Sequence, residues 1–279
     1  MTADWLPRSA DEGPVLLPGV YDGLGARLAE MAGFRAVYAS GGAIARSAAL
    51  PDIGLLTLTE TLDRLRPIVE ATSLPVVADF ETGFGGPANI RRAAKAFADL
   101  GIAAFHLEDQ DEPKRCGALP GKRLISVEEM SQKLSIAREA VSNPDVLIVG
   151  RTDAVSVEGL DAAIARANAY GRAGADIVYL ESLWDGPSIA RVAEEVPGPK
   201  MISMIGGNSA PDFSARELVE MDFRIVIVPN DLQRAAVFAM QRALELLRHD
   251  GHTTSMADAM ITMEDREQIA RTHDYVDLV

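Results

Sequence analysis

The chain has 279 residues, with 27 Lys or Arg against 41 Asp or Glu, and a formal charge of −14. That balance excludes a nucleic-acid or anionic-membrane partner, and no apolar run approaches the ~20 residues of a membrane span. A single cysteine excludes an internal disulfide, and MTADWLPRSADEGP lacks a basic, apolar leader, so a cytoplasmic protein is expected.

Val15–Val20 reads as a first strand, and Asp22 as the cap of a helix reaching Met31, with Leu24, Leu28 and Met31 near helical period. Phe34–Ala39 is a second strand ending in Ser40–Gly41–Gly42. A helix is expected from Thr59 to Ala71, and a strand over Leu74–Phe80. Pro87–Leu100 is a helix with Pro87 in its first turn. Ile102–Leu107 is a fourth strand. It runs into FHLEDQDEPKRCGALPGK, residues 105–122, where Gly117, Pro120 and Gly121 predict an open, mobile loop. Ser126–Val141 is the next helix, with Ser126 and Glu129 as a capping box.

The alternation continues with a strand over Val146–Gly150, a helix over Leu160–Arg172 and a strand over Asp176–Leu180. Pro187–Glu195 is a helix, Lys200–Met204 a strand, Ser214–Glu220 a short helix and Phe223–Val228 a strand. Asp231–Arg248 is a long closing helix. Eight strand–helix units with short apolar strands predict an α/β fold, a (β/α)8 TIM barrel of parallel strands. The barrel is expected to be a single domain over residues 1–279. A helical tail over 249–279, with a helix around Thr262–Thr272, should pack outside it or on a neighbour.

A barrel of this kind carries its active site at the carboxyl ends of the strands. Those ends bear Ser40–Gly41–Gly42, Asp79 and Glu81, Glu108 and Asp109, Arg151 and Asp153, Glu181, and Ser203. Any one of these acids alone can cap a helix or solvate a loop. As a crowded set with few cations among them, they repel one another unless a divalent ion neutralises them, and an all-oxygen set suits Mg²⁺. Arg151 is either a fork donor to a substrate carboxylate or a structural partner of the neighbouring acids. Cys116, flanked by Lys114 and Arg115, reads as a thiol whose pKa those cations hold within reach of neutrality. His106 sits within a strand pattern and reads as a core or barrel-mouth histidine, and His249, His252 and His273 show no ligand spacing. Gly23-x-Gly25 lacks the rest of a dinucleotide fingerprint and reads as a helix-packing site.

The motifs YASGG, LPDIG, ADFETGFGG, HLEDQ, PKRCG and GRTDA occur in one chain in that order. Together they resemble the isocitrate lyase and phosphoenolpyruvate mutase superfamily, over nearly the whole chain from LPGVYDGLGARLAEMAGFRAVYASGG to FRIVIVP. The PKRCG loop is similar to that of its carbon–carbon lyases, in the branch of methylisocitrate and dimethylmalate lyases. The resemblance implies a barrel binding Mg²⁺ (or Mn²⁺), in a homotetramer of dimers that exchange the last helix. It implies Asp79 as direct metal ligand, with Asp52, Glu81 and Glu108 acting directly or through water. It gives Tyr38, Ser40, Gly41 and Gly42 as the cradle of a 2-oxo acid, Arg151 as its partner, and Lys114–Gly117 as a gating loop whose Cys116 is general acid. Glu181 and Ser203 would complete the substrate site.

Three positions depart from that pattern. Glu81 stands where Asp is usual, Ala118 where the tricarboxylate lyases have His, and Ser203 near an expected Asn, with Gly206 in place of a following acid. The last two bear on the half of the substrate that is not the 2-oxo acid. The expected activity is therefore Mg²⁺-dependent retro-aldol cleavage of a 2-hydroxy di- or tricarboxylate, dimethylmalate-like or methylisocitrate-like. An oxaloacetate-type decarboxylase or hydrolase, and a non-catalytic 2-oxo acid sensor, are the alternatives. The intact DxE, ED and KRCG elements argue against the sensor, since binding alone does not require the thiol.

Overall fold

The computed structural model of the chain describes residues 4–7, 12–204 and 213–276; Gly206 lies outside the described residues. Eight parallel strands close into a barrel in chain order: β1 (Val15–Val20), β2 (Val37–Ala39), β3 (Val76–Asp79), β4 (Ala104–Glu108), β5 (Leu147–Thr152), β6 (Ile177–Leu180), β7 (Lys200–Ser203) and β8 (Phe223–Val228). β8 returns to β1 with Leu17 paired to Ile227. The helices are α1 (Gly23–Met31), α2 (Gly41–Ser47), α3 (Leu58–Ala71), α4 (Pro87–Leu100), α5 (Val127–Ala140), α6 (Ala154–Val157), α7 (Leu160–Arg172), α8 (Gly186–Glu195), α9 (Ala215–Glu220) and α10 (Asp231–Asp250). Beyond them come a 3-10 helix (Thr254–Ala259), α11 (Met263–Ala270) and α12 (His273–Val276). The expected TIM barrel is the observed fold.

Side chains alternate across each strand, and here both faces are apolar. Leu17, Tyr38, Val77, Ala104, Val149, Tyr179, Met201 and Ile225 fill the lumen as one buried cluster. Val76, Ala78, Phe105, Leu107 and Ile148 face outward and pack with Leu65, Ile90, Phe97 and Leu134 of the helical layer. The same alternation carries into the polar strand ends. It assigns Asp79, His106, Glu108, Arg151 and Ser203 to the lumen side, with Asp109 and Thr152 turned to the helices.

Local chemistry explains most boundaries. Asp22 Oδ1 accepts from the Gly25 N–H at 2.7 Å and starts α1. Gly101 (φ 96°) and Gly174 (φ 108°) turn the chain from helix to strand at two matching joints, conformations that only glycine adopts cheaply. Gly23 meets the Pro67 carbonyl so closely that a Cβ would lie 2.7 Å from it, which is the helix packing expected of Gly23-x-Gly25. The capping box expected at Ser126 and Glu129 is only half formed: Ser126 Oγ accepts from the Glu129 N–H at 3.1 Å. Complete boxes occur instead at Thr57/Glu60 and Ser214/Glu217.

Asp109 belongs to this framework and not to the mouth. Fully buried, it accepts from Thr152 Oγ1 (2.6 Å), Tyr170 OH (2.7 Å), the Asp153 N–H (3.0 Å) and Arg166 Nη1 (3.3 Å), tying β4 to β5 and α7. Removing one partner of a buried charged network typically costs ~3–5 kcal/mol. Asp109→Ala should therefore lose stability on that scale in urea unfolding; a loss below ~1 kcal/mol would show that the network is dispensable.

The tail helix expected around Thr262–Thr272 is α11, capped by Thr262, whose Oγ1 accepts from the Asp265 N–H at 3.0 Å. It docks on α1, where Arg27 Nη1 donates to the Ile269 carbonyl at 3.1 Å and Ile269 is buried. α10 leaves Val237, Phe238, Met240, Leu244 and Leu247 exposed.

Candidate active site

At the carboxyl end of β2, Ser40 caps α2, a buried helix that sequence reasoning read only as a strand-end turn. Its first residues are glycines because carboxylates press against them. A Cβ at Gly41 would lie 2.6 Å from Asp79 Oδ2 and also strike Glu81 Oε1, and one at Gly42 would lie 2.6 Å from Asp52 Oδ2. The fold thus brings Asp52, Asp79 and Glu81 to one helix N-terminus, whose dipole favours anions. Glu81 is placed there by a left-handed backbone (φ 53°), which is costly for a non-glycine residue. Its N–H donates to Asp79 Oδ1 at 2.9 Å, and its carbonyl accepts from the Glu108 N–H at 3.0 Å.

The expectation of few cations among these acids is corrected by the structure. Lys114 is buried, with its ammonium paired to both Asp52 Oδ1 and Glu81 Oε2. Arg151 is clamped by Asp153 (Nε–Oδ2 2.9 Å, Nη2–Oδ1 3.2 Å), pairs with Glu108 Oε2 at 3.1 Å, and lies 4.0 Å from Glu181 Oε2. Its guanidinium also sits 5.5 Å over the Tyr179 ring. Tyr179 OH donates to Glu181 Oε2 and shares a hydrogen bond with Ser203. Tyr38 OH bonds His106 Nε2 at 2.7 Å, while His106 Nδ1 is buried without a hydrogen bond.

Electrostatics follow from this packing. Burial pushes the Glu81 carboxyl up, repulsion from Asp79 adds to it, and Lys114 only partly offsets both, leaving a pKa of about 7. Glu108 is raised well above the carboxylate range, first by burial, which Arg151 and Lys114 fail to cancel. Burial also lowers His106 to about 4, so it is neutral at neutral pH. For Asp79, burial is outweighed by His106, Lys114 and Arg151, and its pKa falls.

The loop after β4 differs from expectation as well. Instead of an open segment, residues 110–122 are docked across the mouth. The Cys116 N–H donates to the Asp52 carbonyl at 3.0 Å, and Gln110 brackets the Arg115 backbone, accepting from its N–H and donating to its carbonyl at 2.9 Å each. Gly117 runs so close to Glu181 that a Cβ would lie 2.8 Å from Glu181 Cδ. Cys116 does not have the depressed pKa that its sequence neighbours suggest. Lys114 points into the acids, and Arg115 Nη1 donates to the Pro120 carbonyl at 3.0 Å. Burial, followed by the Asp52 charge, pushes the thiol up, although Arg46 Nη2 stands 3.6 Å from Sγ. Cys116 is therefore held as a protonated thiol at the edge of a carboxylate-lined cavity.

This arrangement can be set beside known proteins. The phosphoenolpyruvate phosphomutase family model matches residues 8–248. The chain belongs to the phosphoenolpyruvate mutase/isocitrate lyase superfamily. It is 39% identical over 261 residues to a 2-methylisocitrate lyase of Bacillus subtilis (strain 168), covering 94% of this chain and 85% of that protein. The crystal structure of a superfamily member, 2,3-dimethylmalate lyase, superposes with a TM-score of 0.88 at 33% identity, over 96% of this chain and 91% of that one. A phosphonopyruvate hydrolase solved with oxalate and Mg²⁺ superposes with a TM-score of 0.85 at 28% identity, over 98% and 96% of the two chains.

Within this superfamily scaffold the mouth can be tested for an ion. Among the described residues, no three His, Cys, Asp or Glu side chains are spaced to grip a metal unaided. Mg²⁺ does not require such a cage, because it keeps several waters and is held by one or two carboxylates. The oxygens of buried Glu108 accept no hydrogen bond, and Asp79 and Glu81 converge on Gly41. An oxygen-only set with buried, under-satisfied acceptors fits a hydrated hard cation. The expected residues Tyr38, Ser40, Gly41, Gly42, Asp52, Asp79, Glu81, Glu108, Arg151, Glu181 and Ser203 all line or border the mouth, and Lys114, Cys116 and Gly117 close over it. Sequence reasoning missed the pairings that Lys122 and Arg46 make. No spacing rule signals them, since most of the partners are far apart in sequence: Lys122 meets Asp153, and Arg46 meets Asp52, Cys116 and Asn230.

Proposed function

We propose that the chain is a Mg²⁺-dependent carbon–carbon lyase that cleaves a 2-hydroxy di- or tricarboxylate to a 2-oxo acid and a second carboxylate. The observation that carries this reading is Cys116, a protonated thiol on a docked loop beside the acidic mouth. Binding a 2-oxo acid needs no such donor; returning a proton to carbon does. The lyase relatives support the same reaction class.

Asp79 and Glu81, with Glu108 and Asp52 acting directly or through water, would hold the ion. When bound, Mg²⁺ supplies a Lewis acid that polarises the 2-hydroxyl oxygen and then the 2-oxo group. The protein's own residues account for the rest. Arg151 forms charge-assisted hydrogen bonds to a substrate carboxylate, exchanging part of its contact with Glu108. The hydroxyl proton passes to a carboxylate of the mouth, and the electron pair this leaves on oxygen forms the carbonyl π bond. The adjacent C–C bond breaks, and its electron pair moves onto the carboxylate-bearing carbon of the departing fragment. Cys116 Sγ–H then delivers its proton to that carbon, and solvent reprotonates the thiolate once the loop lifts. The docked loop excludes water while the carbanion exists.

Substrate size is read from two positions. Ser203 is buried beside Tyr179, and Ala118 is a bare methyl exposed on the loop, where larger polar side chains would reach a third carboxylate. Losing one charge-assisted hydrogen bond costs ~1.5–3 kcal/mol, roughly ten- to a hundredfold in rate. In a panel of 2-hydroxy diacids and triacids assayed for released 2-oxo acid, a substituted malate should outperform isocitrate. Isocitrate as the best substrate would overturn the assignment, and no release from any member of the panel would overturn the lyase reading itself. The exposed apolar stripe of α10 supports a homotetramer built by helix exchange, and the acidic, single-cysteine composition supports a cytoplasmic setting.

A further inference from the structure

Lys122 takes no part in the chemistry above, yet it is buried beside it. It lies at the end of the loop, two residues before Leu124, whose bridge to Gln110 closes the loop's base. Its ammonium donates to the Gly117 carbonyl at 2.7 Å and to Asp153 Oδ1 at 2.8 Å. Asp153 is fully buried and fixed from behind, its N–H donating to Asp109 Oδ1 at 3.0 Å. Its carboxylate is also the bidentate partner of Arg151. One ammonium therefore joins the backbone next to Cys116 to the carboxylate that sets the guanidinium plane.

Burying an ammonium is unfavourable unless it is paired and hydrogen-bonded. Lys122 obtains both partners together only while Gly117 lies against Glu181. When the loop lifts, the carbonyl is withdrawn and the ammonium regains water at the expense of its contact with Asp153. Asp153 is then left to Arg151 alone, which binds it more tightly and is less free to meet a substrate carboxylate. We propose that Lys122 is a positioning residue that couples docking of the Cys116 loop to the orientation of Arg151 through Asp153. The effect on turnover rests on the lyase reading above; the coupling itself does not.

The test uses the fact that Cys116 is the only cysteine, so its alkylation by iodoacetamide reports loop undocking without any turnover. A lost charge-assisted hydrogen bond predicts that Lys122→Met raises the alkylation rate of the free enzyme about ten- to a hundredfold. It should also lower kcat, because Cys116 is no longer placed, and raise KM, because Arg151 is held back by Asp153, with circular dichroism and the melting profile showing a folded chain. Lys122→Gln serves in the same assays if the Met variant does not fold. Alkylation at the wild-type rate in a folded variant overturns the proposal, as does a fall in kcat with loop protection intact. Should wild-type protein cleave nothing, the lyase reading fails, and the alkylation comparison, read together with the affinity of both proteins for pyruvate, still decides the coupling.

Discussion

Replacing Cys116 with Ala is expected to collapse carbon–carbon cleavage by ~10²–10⁴-fold, the usual worth of a positioned general acid. Affinity for Mg²⁺ and for a 2-oxo acid should stay close to wild type. The reason lies in where each part sits. Asp79, Glu81, Glu108 and Arg151 stand on barrel strands or the turns directly after them, whereas Cys116 is carried by the loop and touches Asp52, in the segment between α2 and α3, only through its backbone and the edge of its carboxylate. Cys116→Ser should be nearly as poor, because a hydroxyl is a much weaker acid than a thiol. A decarboxylase or hydrolase on the same barrel behaves differently, since its enolate can take a proton from solvent. Steady-state release of 2-oxo acid by both variants, with ligand binding measured alongside, separates these mechanisms. Retention of more than about a tenth of wild-type turnover by Cys116→Ala sinks the lyase mechanism, being well short of that general-acid loss.

The second large effect is expected at Asp79. It is buried and kept ionised by the nearby cations despite its burial, and its Oδ2 faces Gly41 beside Glu81. Asp79→Ala should remove detectable cleavage, and excess chelator should do the same to wild-type enzyme until Mg²⁺ is restored. Asp79→Asn keeps the volume and the acceptor for the Glu81 N–H, so it separates loss of the ion from collapse of the β3 turn. Glu81→Asp should retain part of the activity, because it shortens the side chain by one methylene without removing the charge. Full turnover in chelator, or a calorimetric Mg²⁺ isotherm in Asp79→Ala matching wild type, contradicts this role.

Much of the fold was legible from residue patterning. α4, α7, β1 and β8 occupy the spans expected for them, because Pro87, Gly101, Gly174 and runs such as FRIVIV punctuate the chain without ambiguity. β2 is shorter than expected and starts at Val37. α2 was missed because GGAIARS has two glycines and too few residues to display a helical period; tertiary burial stabilises it where propensity does not. The acids of the mouth were legible because strand alternation aims every second residue inward. Their counter-charges were not. Lys114 reaches Asp52 and Glu81 across 62 and 33 residues of chain, a contact created by loop docking and invisible to local spacing. The thiol shows the same limit from the other side. Lys114 and Arg115 are its neighbours in sequence, but burial and Asp52 are its neighbours in space.

Glu108 and Asp109 are consecutive, equally buried acids with unrelated duties, one facing the lumen and the other bolting β4 to β5 and α7. Only the parity of their positions along the strand divides the labour. Inserting or deleting one residue in β4 would exchange them, sending the mouth's acid into the framework and the framework's anchor into the mouth, with both jobs lost at once. Strand length here is therefore closed to evolutionary drift. New substrates must be explored by substitution at the rim and by changes in the loop that begins after Asp109, where length can vary without altering which way any of the strand's side chains points.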